Sequence, residues 1–351
     1  MDGRKRRLLG RAKRAGFGGL AALEPENLFY MTGFWGEAAG LLTPEKSLII
    51  APGLEVPRAR AEAPGFEVVE APRGSGVVPA LARAAAGARL CTDCRGHADL
   101  AALRRRSPGA AYLPAPFEEC RVVKDAGEAR AISAASRLVD ELFGDCARLL
   151  REGGRESELQ SELMARAAAL GLHDTGYHHT LNPLIVAGGP NGALPHAQPG
   201  PRRFRRGDMV VVDITLRRAG YISDATRTFA VGRAPREAAD SYAVVKESQR
   251  AGLRAARAGA SCSSVDAACR GVIEESGRGP LFIHSTGHGV GLEVHEAPAI
   301  SPGARGRLQK NMAITVEPGV YVEGSYGIRI EDTVLVGSRP LHRFTKDLVE
   351  V

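Results

Sequence analysis

Two short runs put acid where burial is expected. "VVVDITL" sets Asp213 behind three valines, and "AITVEPG" sets Glu317 at the end of an equally apolar strand. Segments this apolar fill the inside of a domain, and a buried, unpaired carboxylate is costly. Each run has a partner across a turn. "DMVVVDITL" and "YISDATRTFAVG" flank "RRAG", while "MAITVEPGVYV" and "GIRIEDTVLVG" flank "EGSY", so both pairs read as β-hairpins. With Arg217–Gly220 as the first turn, antiparallel pairing sets Asp213 opposite Asp224. Centring the second hairpin on Gly324 sets Glu317 opposite Glu331. Like charges facing each other about 4.5–5.5 Å apart at Cβ destabilise a sheet. Two such pairs in apolar company therefore predict positive charge between them. Four carboxylates suffice for two divalent cations, held about 3.5–4 Å apart around a bridging water. So oxygen-rich a set favours manganese, cobalt or iron over a structural zinc.

Between the hairpins lies "FIHSTGHGVGLEVHEAP", with His284, His288 and His295. His295-Glu296 opens like HExxH, but Pro298 and Ala299 follow, so the helix and second histidine of that motif are missing. His284 and His288 are four apart, yet Gly287, Gly289 and Gly291 disfavour a helix there. They suit a strand or extended loop in which the backbone passes close to metals and substrate. The stretch is not a site by itself. One of its histidines is expected to join the carboxylates, leaving others for the substrate. His196 lies upstream in the Gly/Pro-rich loop "IVAGGPNGALPHAQPG".

The frame for these features is a 351-residue chain, 44% hydrophobic and 25% charged, which suits a soluble protein of two domains. The texture changes near residue 122, dividing the chain into 1–122 and 123–351. The first part alternates short helices and strands, such as "SLIIAP" and "FEVVEAP". The second opens with a long amphipathic run in which Asp125 and Glu128 are spaced as a capping box. Paired helices around antiparallel hairpins argue for an α+β fold. No apolar run reaches about 18 residues. The basic N-terminus, "MDGRKRRLLGRAKRAG", lacks the apolar core of a secretory signal, so a cytoplasmic, membrane-free protein is expected. Six cysteines form no disulfide framework, and "CTDC" lacks the second pair a zinc site needs. The net charge of +7 raises the question of nucleic acid. Its arginine clusters are scattered, aromatics are only 5%, and no binding motif accompanies them, which argues against that partner.

Taken together, "NGALPHA", "VVVDITLRRAGYISDATRTF", "HSTGHGVGLEVHEAP", "ITVEPGVYV" and "YGIRIEDTVLV" resemble, in order and spacing, the proline-specific metallopeptidases of the pita-bread fold. These are the Xaa-Pro aminopeptidases and Xaa-Pro dipeptidases (prolidases). The resemblance covers roughly residues 125–351, and "PENLFYMTGF" with "SLIIAP" is similar to the family's smaller N-terminal domain. It implies five metal ligands, Asp213, Asp224, His288, Glu317 and Glu331, with Asp213 and Glu331 bridging or chelating. It implies two divalent ions, manganese or cobalt first and iron or zinc as alternatives. His196 and His295 correspond to substrate-side histidines that steady the scissile carbonyl and oxyanion. Glu317 would shuttle the proton. His284 is similar to a further pocket histidine, Arg329 to an arginine supporting Glu331, and Tyr321 to a residue near the site. Expected substrates are proline-containing peptides or dipeptides, and the family often dimerises through its N-terminal domain. Archaeal-type prolidases usually carry an arginine shortly after "HExP", where this chain has Ala299. That departure favours an Xaa-Pro aminopeptidase over a strict dipeptidase. A methionine aminopeptidase-like enzyme and a metal-free binding protein on the same scaffold are the more distant readings.

Overall fold

The computed structural model describes residues 2–177 and 184–351, in two compact units, the first ending at Arg121 and the second beginning at Val122. Helices of the first stretch are α1 (Asp2–Arg14), α2 (Pro25–Thr32), α3 (Val56–Glu62), α4 (Val77–Ala84), α5 (His97–Arg106) and α6 (Ala115–Val122). Its strands are β1 (Gly19–Ala22), β2 (Ala39–Leu42), β3 (Ser47–Pro52), β4 (Glu67–Ala71), β5 (Leu90–Thr92) and β6 (Ala111–Tyr112), joined in one sheet of order β4-β3-β2-β1-β5-β6. β1 to β3 meander antiparallel, and the outer strands add in parallel. The Cys91 and Cys94 thiols are buried and donate to the carbonyls of Gly19 and Gly96, and burial pushes the Cys91 thiol up to about 12. Between them, buried Asp93 accepts from the amides of Leu23 and Glu24 and from the Asn27 side chain, which fixes the start of α2.

The second unit is built from two helix-plus-sheet halves. The first half has α7 (Ala126–Leu149), α8 (Glu156–Ala169), β7 (Leu184–Gly188), β8 (Met209–Arg218) and β9 (Tyr221–Ala230). Helix α7 starts with the capping box: Asp125 accepts the Glu128 amide, and Glu128 accepts the Asp125 amide. Such a cap contributes about 1 kcal/mol. Period-2 alternation sorts β8 cleanly. Val210, Val212, Ile214 and Leu216 pack into one core with Val139, Leu142 and Phe143 of α7, and Leu159 and Leu163 of α8. Asp213 and Thr215 are thereby turned to the other face.

The second half has α9 (Arg236–Ala255), α10 (Cys262–Glu275), β10 (Gly287–Gly289), β11 (Glu296–Ile300), β12 (Ala313–Val316), β13 (Gly319–Val322), β14 (Tyr326–Arg329) and β15 (Asp332–Leu335), and β16 (Val349–Glu350) then returns to lie parallel to β9. Sheet orders are β16-β9-β8-β7, β11-β10-β12-β15 and β13-β14. Mixed helix and sheet in this arrangement is an α+β fold. Among the described residues no helix is long and apolar enough to cross a membrane.

The hairpin registers differ from expectation in one instance. Arg218 pairs directly with Tyr221, because Ala219 and Gly220 (φ 48° and 85°) make a two-residue turn. Asp213 therefore faces Thr226 and Asp224 faces Thr215, so the two aspartates are diagonal neighbours, not opposite ones. A shift of two residues keeps both on the same face. In the second hairpin, Val322 pairs with Tyr326 around Gly324, and the same register continues in Ala313–Val316 with Asp332–Leu335. Glu317 and Glu331 interrupt the two strands at matching points.

Candidate metal centre

The two halves bring the four carboxylates to one place. Asp213 comes from β8, Asp224 from β9, Glu317 from the break after β12, and Glu331 from the break before β15. His288, in the middle of β10, reaches the same cluster. Its Nε2 is 3.2 Å from Glu317 Oε1 and 3.8 Å from Asp224 Oδ2. Ligand atoms of Asp224, His288 and Glu331 lie within 4.8 Å of one another. All five side chains line one cavity of about 350 Å³.

Neighbouring threonines aim three of the carboxylates. Thr215 Oγ1 donates to Asp224 (2.8 Å), Thr226 Oγ1 to Glu331 (2.7 Å) and Thr315 Oγ1 to Glu317 (2.9 Å). Thr315 Oγ1 also accepts the His288 amide at 3.0 Å. Thr315 stands two residues before Glu317 and shares its side of the strand, Thr215 is the cross-strand partner of Asp224, and Thr226 lies where β9 meets the break at Glu331. Backbone bonds leave the ladder at the two breaks: the Glu317 amide donates to Thr286 and the Glu331 amide to Thr226.

Gly287 and Gly289 are needed for close approach, though not to the cluster as the sequence suggested. A Cβ on Gly287 would lie 2.2 Å from the Thr315 carbonyl oxygen, and one on Gly289 2.3 Å from that of Ala297. They let β10 sit tightly between its neighbours, which sets His288 at the cluster.

The electrostatics are those of a cation site. Burial raises Asp224 to about 7, and repulsion from Asp213 adds to it. Burial likewise pushes Glu331 well above the carboxylate range, helped by Asp224, Glu317 and Asp213. Burial also opposes charge on His288 and on Glu317. Their mutual hydrogen bond and opposite charges outweigh it, taking His288 up to about 9 and Glu317 down to about 2. His288 Nδ1 is 3.0 Å from the Gly289 carbonyl, so Nδ1 carries a proton and Nε2 is the ring atom turned to the carboxylates. Four buried carboxylates and one imidazole nitrogen fit divalent metal chemistry by donor type, charge and burial.

A second layer surrounds the ligands. Arg329 donates through Nη2 to Asp213 (2.7 Å), through Nη1 to Tyr321 Oη (2.7 Å) and through Nε to Thr226 (3.1 Å). Its direct support thus goes to Asp213, and Glu331 is reached through Thr226. Tyr321 is buried, and its hydroxyl lies 2.9 Å from His284 Nε2, while His284 Nδ1 is 2.8 Å from the Ser285 carbonyl. Both His284 nitrogens are therefore engaged, and burial lowers its pKa. His196 and His295 are exposed and line the cavity. The His295 ring packs edge-on at 4.2 Å from the His288 ring, and its Nδ1 is 2.9 Å from Tyr177 Oη. Tyr177 and the three threonines were missed in the sequence. The threonines were legible in principle, each being two residues from, or paired with, an acidic residue on a strand.

A buried carboxylate–imidazole cluster between two sheets, each backed by a helix pair, is the arrangement of the pita-bread fold. The model of metallopeptidase family M24 matches residues 130–338, and that of the Creatinase/Prolidase N-terminal domain matches residues 4–123. The chain belongs to metallopeptidase family M24, whose members use divalent metal ions. The Xaa-Pro dipeptidase of Pyrococcus furiosus is 36% identical over 230 residues, covering 66% of this chain and 65% of that protein. The chain thus spans slightly under two thirds of that relative's length. Among solved structures, the prolidase of Pyrococcus horikoshii superposes with a TM-score of 0.90 at 27% identity, covering 99% of both chains. The X-Pro aminopeptidase of Thermotoga maritima gives 0.87 at 28% identity, covering 97% of this chain and 100% of that one.

Proposed function

We propose that this protein is a metal-dependent exopeptidase that hydrolyses Xaa-Pro bonds, as an Xaa-Pro aminopeptidase in preference to a strict dipeptidase. The observation that carries the reading is the convergence of Asp213, Asp224, His288, Glu317 and Glu331 in one cavity that His196 and His295 also line. These five are the proposed ligands of two divalent ions, manganese or cobalt. When bound, such ions supply Lewis acidity and bring a coordinated water's pKa toward neutrality.

Chain groups do the rest. Glu317, oriented by Thr315, takes the proton from water and passes it to the imino nitrogen of proline, a role contributing about 10²–10⁴-fold. His295 and His196 donate to the developing oxyanion and the substrate carbonyl. Arg329 and Tyr321 hold Asp213 and His284 in place, and the cavity wall selects the pyrrolidine ring. Ala299 also lines the cavity. It brings no cation to meet a dipeptide's carboxylate, which favours longer substrates. A homodimer completes the proposal.

The test is to strip the protein with chelator and add manganese or cobalt. Xaa-Pro dipeptides and Xaa-Pro-Yaa tripeptides are then compared. Metal-dependent cleavage of both is expected, with tripeptides preferred. Cleavage of neither removes the peptidase reading, and cleavage of dipeptides alone replaces it with the strict dipeptidase.

A further inference from the structure

Helix α10 carries an ion pair that none of the proposed chemistry uses. Asp266 and Arg270, one turn apart, form a two-pronged fork: Nε to Oδ2 and Nη2 to Oδ1, both 3.0 Å. Asp266 is 2% exposed. A surface pair at this spacing contributes only about 0.3–0.5 kcal/mol to a helix. This one is turned inward, onto the segment that enters β10. Arg270 Nη1 donates to the Phe282 carbonyl (3.1 Å) and Nη2 to the His284 carbonyl (3.0 Å), with the guanidinium 4.2 Å above the Phe282 ring. Asp266 Oδ1 accepts the Thr286 hydroxyl (2.8 Å) and amide (3.3 Å). The pair thus holds residues 282, 284 and 286 in the irregular stretch that leads into β10. The Thr286 carbonyl in turn accepts the Glu317 amide at 2.8 Å, in the gap where β12 breaks off.

We propose that Asp266 and Arg270 are positioning residues for the metal centre, acting through Thr286 on Glu317 and through the 284 carbonyl on His284. The inference rests on the ligand assignment above. Neither residue touches substrate or the ligand atoms; their role is to set the backbone from which Glu317 and His284 project. Arginine is required because only a planar fork can engage Asp266 twice while reaching two carbonyls. Outer partners of metal ligands typically influence affinity or activity by about 10–100-fold.

The test uses the full-length protein with Arg270→Lys, Thr286→Val and Thr286→Ser. Thr286→Val keeps the shape and deletes the hydroxyl that Asp266 accepts, and Thr286→Ser keeps the hydroxyl. Each is measured for Mn²⁺ affinity by calorimetry, for kcat and KM separately, and for folded fraction by circular dichroism. Expected are an about 10-fold or larger loss of Mn²⁺ affinity or kcat in Arg270→Lys and Thr286→Val, with KM within about twofold and Thr286→Ser close to wild type. The proposal is overturned if both variants keep affinity and kcat within twofold of wild type. It is equally overturned if Thr286→Ser loses as much as Thr286→Val, or if every loss vanishes on correction for folded fraction. Should the wild type cleave no Xaa-Pro substrate, the proposed function fails and Mn²⁺ affinity alone decides the positioning role.

Discussion

The tight seat of β10 makes Gly287→Ala an informative perturbation. The new Cβ would lie 2.2 Å from the Thr315 carbonyl oxygen and 2.8 Å from its carbon, both backbone atoms that cannot swing away. Restoring the 3.4 Å of ordinary contact requires β10 and β12 to part by about 1.2 Å. Two interactions span that gap: the 3.0 Å bond from the His288 amide to Thr315 and the 3.2 Å contact of His288 Nε2 with Glu317. A parting of that size breaks the first and spreads the second. Overpacking of this kind costs about 1–3 kcal/mol. Each kcal/mol lowers Tm by about 2–4 °C in a unit of this size. Displacing catalytic groups by about 1 Å can cost about 10²-fold in turnover. The assay is thermal unfolding together with Mn²⁺ titration, run beside Gly271→Ala. Gly271 lies within α10, where a Cβ meets nothing within 4 Å, so that change should be neutral or stabilise by about 0.5–1 kcal/mol. Gly287→Ala with wild-type Tm and unchanged Mn²⁺ affinity would refute the claim that strand spacing sets the ligand geometry.

Three further outcomes are expected. Glu317→Gln should lower kcat by about 10²–10⁴-fold with the fold retained, and wild-type-like turnover would remove Glu317 from the proton path. Ala299→Arg should raise the dipeptide-to-tripeptide rate ratio about 10-fold or more, because a charged hydrogen bond to a free carboxylate contributes about 1.5–3 kcal/mol; an unchanged ratio would show that Ala299 does not set length preference. Arg227 donates to Asp332 Oδ1 and to the carbonyls of Thr226, Glu331, Phe344 and Thr345. Arg227→Met should therefore cost about 3–5 kcal/mol in urea unfolding, and a loss under 1 kcal/mol would contradict its role as the tie between β9 and β15.

The acidic residues were legible because burial and charge conflict. "VVVDI" and "ITVEPG" are intelligible only if something compensates the carboxylate, and the sequence shows this without any knowledge of distance. Hairpin symmetry gave the Glu317–Glu331 relation correctly because the turn is centred on Gly324. It misplaced Asp213 against Asp224 because Ala219, a non-glycine residue at positive φ, is not an obvious member of a two-residue turn. The error was harmless to the face assignment, since strand faces repeat every two residues. The Asp266–Arg270 fork was hidden for a different reason. At i and i+4 on an amphipathic helix it has the form of an ordinary surface pair, and only tertiary packing turns it inward. The engagement of both His284 nitrogens was equally beyond sequence, depending on a contact with Tyr321, 37 residues away.

The matching breaks at Glu317 and Glu331 carry one more consequence. By leaving their own ladder, these residues free their amides for partners elsewhere, and Glu331 takes one from β9 in the opposite half of the unit. The cluster is therefore a seam: two carboxylates belong to one half, and two carboxylates and the imidazole to the other. Neither half can assemble a cation site alone. A cation seated there would act as a rivet across the join, so metal loading and cohesion of the halves should rise and fall together. Amide hydrogen exchange at Glu331 would report when the seam opens.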